Sequence, residues 1–119
     1  MRQMYGIPQC STVKKARQWL ADQGVDCAFH DFKKQGVPAS ELAQWLQQVD
    51  WTRLLNRSGT TWRRLDEATR AAVVDAASAQ ALMLAQPSVI KRPVLRWQDG
   101  AVTVGFDAQG FAQRLAQGG

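Results

Sequence analysis

Cys10 stands in the segment Met4-Tyr5-Gly6-Ile7-Pro8-Gln9-Cys10-Ser11-Thr12-Val13-Lys14-Lys15-Ala16. A short apolar run ends in Gly and Pro, the cysteine follows, and a helical pattern begins directly after it. A thiol at such a junction meets the unpaired N–H groups of the first helical turn and the positive end of the helix dipole. Both favour the thiolate, which is the reactive form of cysteine. Lys14, Lys15 and Arg17 follow, where helix starts normally carry acidic residues. Three cations at that end suggest a place that favours negative charge nearby. A single thiolate here attacks a disulfide, or is attacked in a mixed disulfide, and a second thiol resolves it. Ser11 and Thr12 add hydroxyl donors. The alternative is a buried, inert cysteine.

The other chemically able residues point elsewhere. Cys27 is in phase with Val25 and Phe29 and is expected in the core. His30 is the only histidine and is expected to be structural or exposed. One His and two separated Cys show no recognisable metal-ligand spacing, so no metal is expected. The five tryptophans are expected to pack rather than to stack on bases.

A chain of 119 residues reads as one domain. Apolar residues make up 45% and charged residues 21%, as in an ordinary globular protein with a single core. The formal charge of +5 admits nucleic acid as a partner. The Lys and Arg are spread along the chain without interleaved aromatics, so no nucleic-acid binding is expected. No apolar stretch approaches the ~20 residues of a membrane helix, and no signal pattern opens the chain. The expectation is a cytosolic protein with reduced thiols, no membrane partner and a monomeric state. Gly118-Gly119 reads as a frayed end.

The elements that must position Cys10 follow from periodicity. Met4–Ile7 reads as a strand stopped by Pro8. Val13, Ala16, Trp19 and Leu20 recur at helical spacing over 11–23, and Gly24 ends that helix. Residues 25–32 alternate as a strand does. The first third is therefore a βαβ unit with a parallel strand pair. Lys33–Val37 reads as a turn. Pro38 opens a helix with Leu42, Trp45, Leu46 and Val49 on one face, and Trp51–Leu55 reads as one helical turn. A polar loop is expected over 56–61, then one helix from Asp66 to about Ala85, stopped by Gln86-Pro87. Val89–Leu95 is an apolar run broken by Pro93. Asp99-Gly100 marks a hairpin between Val94–Trp97 and Ala101–Phe106. Asp107 is expected to cap a last helix with Phe111 and Leu115 inward.

That order, with a thiol after the first strand and a proline entering the third, resembles the thioredoxin-like (glutaredoxin-like) fold. The implied architecture is α/β, a mixed sheet of about four strands with a helical insert, about 38–87, between βαβ and ββα halves. More specifically, Tyr5-Gly6-Ile7-x-x-Cys10-x-Thr12-x-Lys14-Lys15-Ala16 is similar to the active-site signature of the ArsC-like family. This family contains glutaredoxin-coupled arsenate reductases, Spx-type regulators and YffB-type proteins. Lys91-Arg92-Pro93-Val94 is similar to its second signature. The resemblance covers residues 2–117, taken as one domain over 1–117. With Asn56-Arg57-Ser58-Gly59-Thr60-Thr61-Trp62-Arg63 included, it is closest to the YffB-type branch.

The resemblance implies that Cys10 is the redox thiol and that Arg92 binds an anion or stabilises the thiolate. Arg57 falls at the family's other active-site arginine, with Asn56 as the neighbouring alternative. Pro93 matches the family's cis proline. Gln9, Ser11, Thr12, Lys14 and Pro93 are the implied substrate contacts. Glutathione is the implied co-substrate, or another small thiol in its place, with glutaredoxin as a further partner. The expected activity is glutathione-dependent thiol reduction. Arsenate reduction is the second reading, because Val102–Asp107 lacks the third arginine of arsenate reductases. A non-catalytic, polymerase-binding regulator of the Spx kind is the third, because Val13 replaces the second cysteine of a Cys-x-x-Cys switch.

Overall fold

Strand β1 (Gln3–Gly6) lies in the middle of the sheet. It pairs in parallel with β2 (Ala28–Asp31) and antiparallel with β3 (Val94–Arg96), which pairs antiparallel with β4 (Val102–Val104). The order β2-β1-β3-β4 is the mixed four-strand sheet of a thioredoxin-like fold. The computed structural model describes residues 1–119. The chain forms two compact units, residues 1–35 with 92–119, and residues 36–91.

In the first unit, α1 (Ser11–Asp22) buries Val13, Ala16 and Leu20, the stripe that a 3.6-residue period predicts. These side chains meet Met4, Leu95, Trp97 and Phe111 in one core cluster. Trp97 is 1% exposed, stands edge-on to Phe111 at 5.0 Å and donates its indole N–H to Thr103 Oγ1 at 2.8 Å. The helix ends in a glycine cap. Gly24, at φ +68°, donates to Ala21, and Val25 donates to Leu20, which satisfies the last carbonyls.

That cap shortens the expected second strand. The Val25 N–H belongs to the helix end, so pairing begins only at Ala28. The expected turn over 33–37 is instead partly helical, as α2 (Phe32–Gln35), and Gly36 at φ +71° leaves it. The hairpin strands are also shorter than expected. Trp97 N–H binds the Ala101 carbonyl and Gly100 N–H binds the Trp97 carbonyl, with Gly100 at φ +88°. This is a three-residue loop ending in a left-handed glycine. Asp107 caps α8 (Ala108–Ala116) by accepting from Gly110 N–H.

The last residues are not frayed. Gly118, at φ +90°, donates to Leu115, and Gly119 donates to Arg114. The Gly119 carbonyl accepts two bonds from the Arg2 guanidinium, at 3.1 and 2.7 Å. Gly119 is buried because it closes a second glycine cap, a feature that a pair of terminal glycines hides.

The second unit is helical: α3 (Ala39–Gln48), α4 (Trp51–Leu54), α5 (Thr60–Arg64), α6 (Glu67–Ala71), α7 (Ala76–Ala85) and a 3₁₀ turn at Pro87–Val89. Leu42, Trp45, Leu54, Met83, Val89 and Ile90 are all buried. The polar loop is shorter than expected, since Thr60 and Thr61 open α5. The single helix expected from Asp66 to Ala85 is two. Asp75 accepts from Ser78 N–H, and the Ser78 hydroxyl accepts from the N–H groups of Asp75 and Val74. This capping box starts a new helix inside an alanine-rich run.

The Trp97–Thr103 bond yields a direct expectation. Thr103→Val keeps the shape and removes the acceptor of a buried indole N–H, so it should cost about 1–3 kcal/mol. Urea unfolding at unchanged slope measures it. A midpoint equal to wild type would show that the bond contributes nothing.

Candidate active site

The site is built from the start of α1. Cys10 is its N-cap residue, with φ −69° and ψ 127°, and its side chain makes no capping hydrogen bond. Its carbonyl accepts from Lys14 N–H at 2.9 Å, and its own N–H binds the Ile7 carbonyl at 3.0 Å. The sulfur therefore stands over the first turn, where serine or aspartate would place an oxygen. The N–H groups of Val13 and Thr12 act on it and favour the thiolate.

The electrostatics follow. Partial burial alone pushes the Cys10 thiol up, but the opposing contacts outweigh it. They are the Val13 N–H, a hydrogen bond from the Arg92 guanidinium, the Thr12 N–H and the Arg92 charge. Together they hold Cys10 below the ordinary thiol value. Arg92 arrives from the other end of the sequence. It is half-buried, its peptide bond to Pro93 is cis, and Pro93 is buried. The Pro93 carbonyl accepts from Gly105 N–H at 2.8 Å, so the residue that follows β4 holds the segment that carries Arg92 into β3.

The structure thus brings Cys10, Thr12 and Arg92 together, with Pro93 next in the chain. Gln9, Ser11 and Lys14 are exposed around the start of α1. Arg17 has its guanidinium over the Phe29 ring, 4.2 Å from the centroid. Arg57 belongs to the helical unit. It is exposed in the turn that follows Asn56, with its guanidinium 5.8 Å from the Trp51 ring centroid. The contribution of Val13 is one that sequence reasoning did not single out. It reads only as a core residue, yet its position three residues after a capping cysteine is the signal that its N–H faces the sulfur.

Cys27 has the opposite environment. Burial pushes its thiol up, against smaller opposing influences from Arg2, the Met4 N–H and Arg17. Its sulfur donates to the Ala28 carbonyl at 3.5 Å, a bond made by the neutral thiol. It lines a cavity of about 450 Å³ with Met4, Arg17, Leu20 and Phe29, and Cys10 is not part of that wall. Both cysteines are free. No group of three or more His, Cys, Asp or Glu side chains is placed to hold a metal ion. No helix is long and apolar enough to cross a membrane.

A mixed four-strand sheet with one activated cysteine at the start of its first helix defines a thioredoxin-like protein. Residues 5–113 match the model of the ArsC family, and the chain belongs to that family. A YffB protein of known structure is 47% identical, with a TM-score of 0.89 over 95% of this chain and 97% of that one. An arsenate reductase (ArsC) related protein from Brucella melitensis is 52% identical, with a TM-score of 0.73 over 96% and 93% of the two chains. An uncharacterised protein of Haemophilus influenzae is 37% identical over 113 residues, covering 95% of this chain and 97% of its own. Family membership and the arsenate-reductase-related neighbour support a thiol-based redox role.

The depressed Cys10 value makes stability depend on pH. The contacts favour the folded thiolate, so their stabilisation is complete above the ordinary thiol value of about 8.5. It fades as pH falls and is gone below the folded Cys10 value. The stability difference between wild type and Cys10→Ser should therefore widen as pH rises through that window. Urea unfolding at several pH values measures it. A difference independent of pH would mean that the thiolate is not stabilised.

Proposed function

We propose that this chain is a cytosolic, glutathione-dependent thiol reductase that uses Cys10 as its single nucleophile. The observation that carries this reading is the convergence of the Val13 N–H, the Thr12 N–H and the Arg92 guanidinium on one sulfur. Cys10 thiolate attacks one sulfur of a disulfide, forming a mixed disulfide and expelling the other sulfur as a thiolate, which takes a proton. Glutathione thiolate then attacks the mixed disulfide, releasing the second substrate thiol and leaving Cys10 joined to glutathione. A second glutathione thiolate attacks the glutathione sulfur of that disulfide, releasing Cys10 thiolate and glutathione disulfide, so two electrons and two protons pass from two glutathiones to one disulfide. Where a glutaredoxin thiol makes this attack instead, it carries the glutathione away as its own mixed disulfide.

In this reading Arg92 stabilises the thiolate as nucleophile and as leaving group. Arg57, which the resemblance assigns to the active site, carries a guanidinium fork that matches a carboxylate such as those of glutathione. Gln9, Ser11, Thr12, Lys14 and Pro93 form the substrate wall. A reducing cytosol keeps Cys10 and Cys27 as thiols. Residues 1–117 act as one domain, the helical segment being its insert. Arsenate reduction stands second, since residues 102–107 carry no arginine. A Spx-like regulatory role stands third, since Val13 occupies the place of a second switch cysteine.

Reduction of a small glutathione mixed disulfide, coupled to glutathione reductase, tests the assignment. Cys10→Ser should abolish turnover and Cys27→Ser should retain it. Arg92→Ala should lose a charge-assisted bond worth roughly 1.5–3 kcal/mol, which is about ten- to hundredfold in rate. Full activity in Cys10→Ser would sink the proposal, and arsenate turnover without disulfide reduction would replace it with the second reading.

A further inference from the structure

Gly6 ends β1, and Val13 lies in the first turn of α1. A Cβ on Gly6 would stand 2.9 Å from Val13 Cγ2 and 3.7 Å from Val13 Cγ1. The shorter distance is below what carbon atoms tolerate, so something would have to move. Val13 has little room to do so. It is fully buried at 0% exposure, packed in the cluster of Met4, Ala16, Leu20 and Leu95, and β-branched, with one strongly preferred rotamer in a helix. Gly6 is not among the glycines with positive φ. Its backbone suits any residue, so what the position demands is space.

We propose that Gly6 is a positioning residue for Cys10: its missing Cβ lets the first turn of α1 settle onto the end of β1, which seats the Val13 N–H against the Cys10 sulfur. A methyl group at position 6 pushes Val13 outward, and the peptide N–H of Val13 moves with it. That N–H is the largest of the influences favouring the thiolate, and Arg92 is the charged group that acts beside it. The proposal rests on the reading of Cys10 as a reactive thiolate. It adds that a residue which touches neither substrate nor sulfur sets how much thiolate is present.

The test is the pH dependence of iodoacetamide alkylation at Cys10, in a Cys27→Ser background. Gly6→Ala should raise the midpoint by about half a unit or more, about a threefold loss of thiolate at neutral pH. Gly6→Ala/Val13→Ala removes the clashing methyl groups and keeps the N–H at position 13, so its midpoint should return toward wild type. A loss of thermal stability in Gly6→Ala with an unmoved midpoint would overturn the proposal. So would a raised midpoint that the double variant fails to restore. Where Gly6→Ala does not fold, the double variant decides. Folding with a wild-type midpoint supports the proposal, and failure to fold overturns it. A wild-type midpoint at the ordinary thiol value would instead defeat the thiolate reading itself.

Discussion

A helix that starts without an oxygen cap leaves its first N–H groups to whatever precedes it. In α1 that is the sulfur of Cys10. A neutral thiol is a poor acceptor and a thiolate is a good one, so the need of the helix start and the reactivity of the cysteine are the same interaction. Lys14 stands in the first turn, where an acidic residue would ordinarily complement the dipole, and Lys15 follows it. With no carboxylate in the first turn, the thiolate is the anion available to that end of the helix.

The sheet supplies the second half of the site. Placing β3 beside β1 brings Arg92 to the level of the loop after β1, and the bond from Gly105 N–H to the Pro93 carbonyl holds that entry. Cys27 shows how far environment alone separates two thiols of one chain. It begins from the same chemistry, yet burial dominates and it stays a neutral donor. Desolvation acts on both sulfurs, and only at Cys10 do N–H groups and a hydrogen-bonded guanidinium outweigh it.

Much of the fold was legible because its signals are local. The helical stripe of Val13, Ala16 and Leu20, the stop at Gly24, the cap at Asp107 and the turn at Asp99-Gly100 each follow from a few neighbouring residues. The misreadings share a different cause. Val25 alternates correctly for a strand, but its N–H is taken by the end of α1. Val73-Val74-Asp75 lies in a run that reads as one helix, yet the Asp75–Ser78 box restarts it. Gly119 looks like a loose end, yet its N–H is taken by the Arg114 carbonyl and its own carbonyl by Arg2 from the other end of the chain. In each case a pattern correct in isolation was overridden by a competing hydrogen bond.

The sequence by itself determined that a cysteine would begin a helix, that a strand would precede it, and that Arg-Pro would enter a later strand. Those features depend on residues close together in the chain. Tertiary structure decided what the cysteine became. Arg92 reaches it only when β3 pairs with β1, and the first turn of α1 settles only because Gly6 leaves room for Val13. How strongly a thiolate is favoured depends on burial set against donors from separate segments. That balance exists only once those segments are packed.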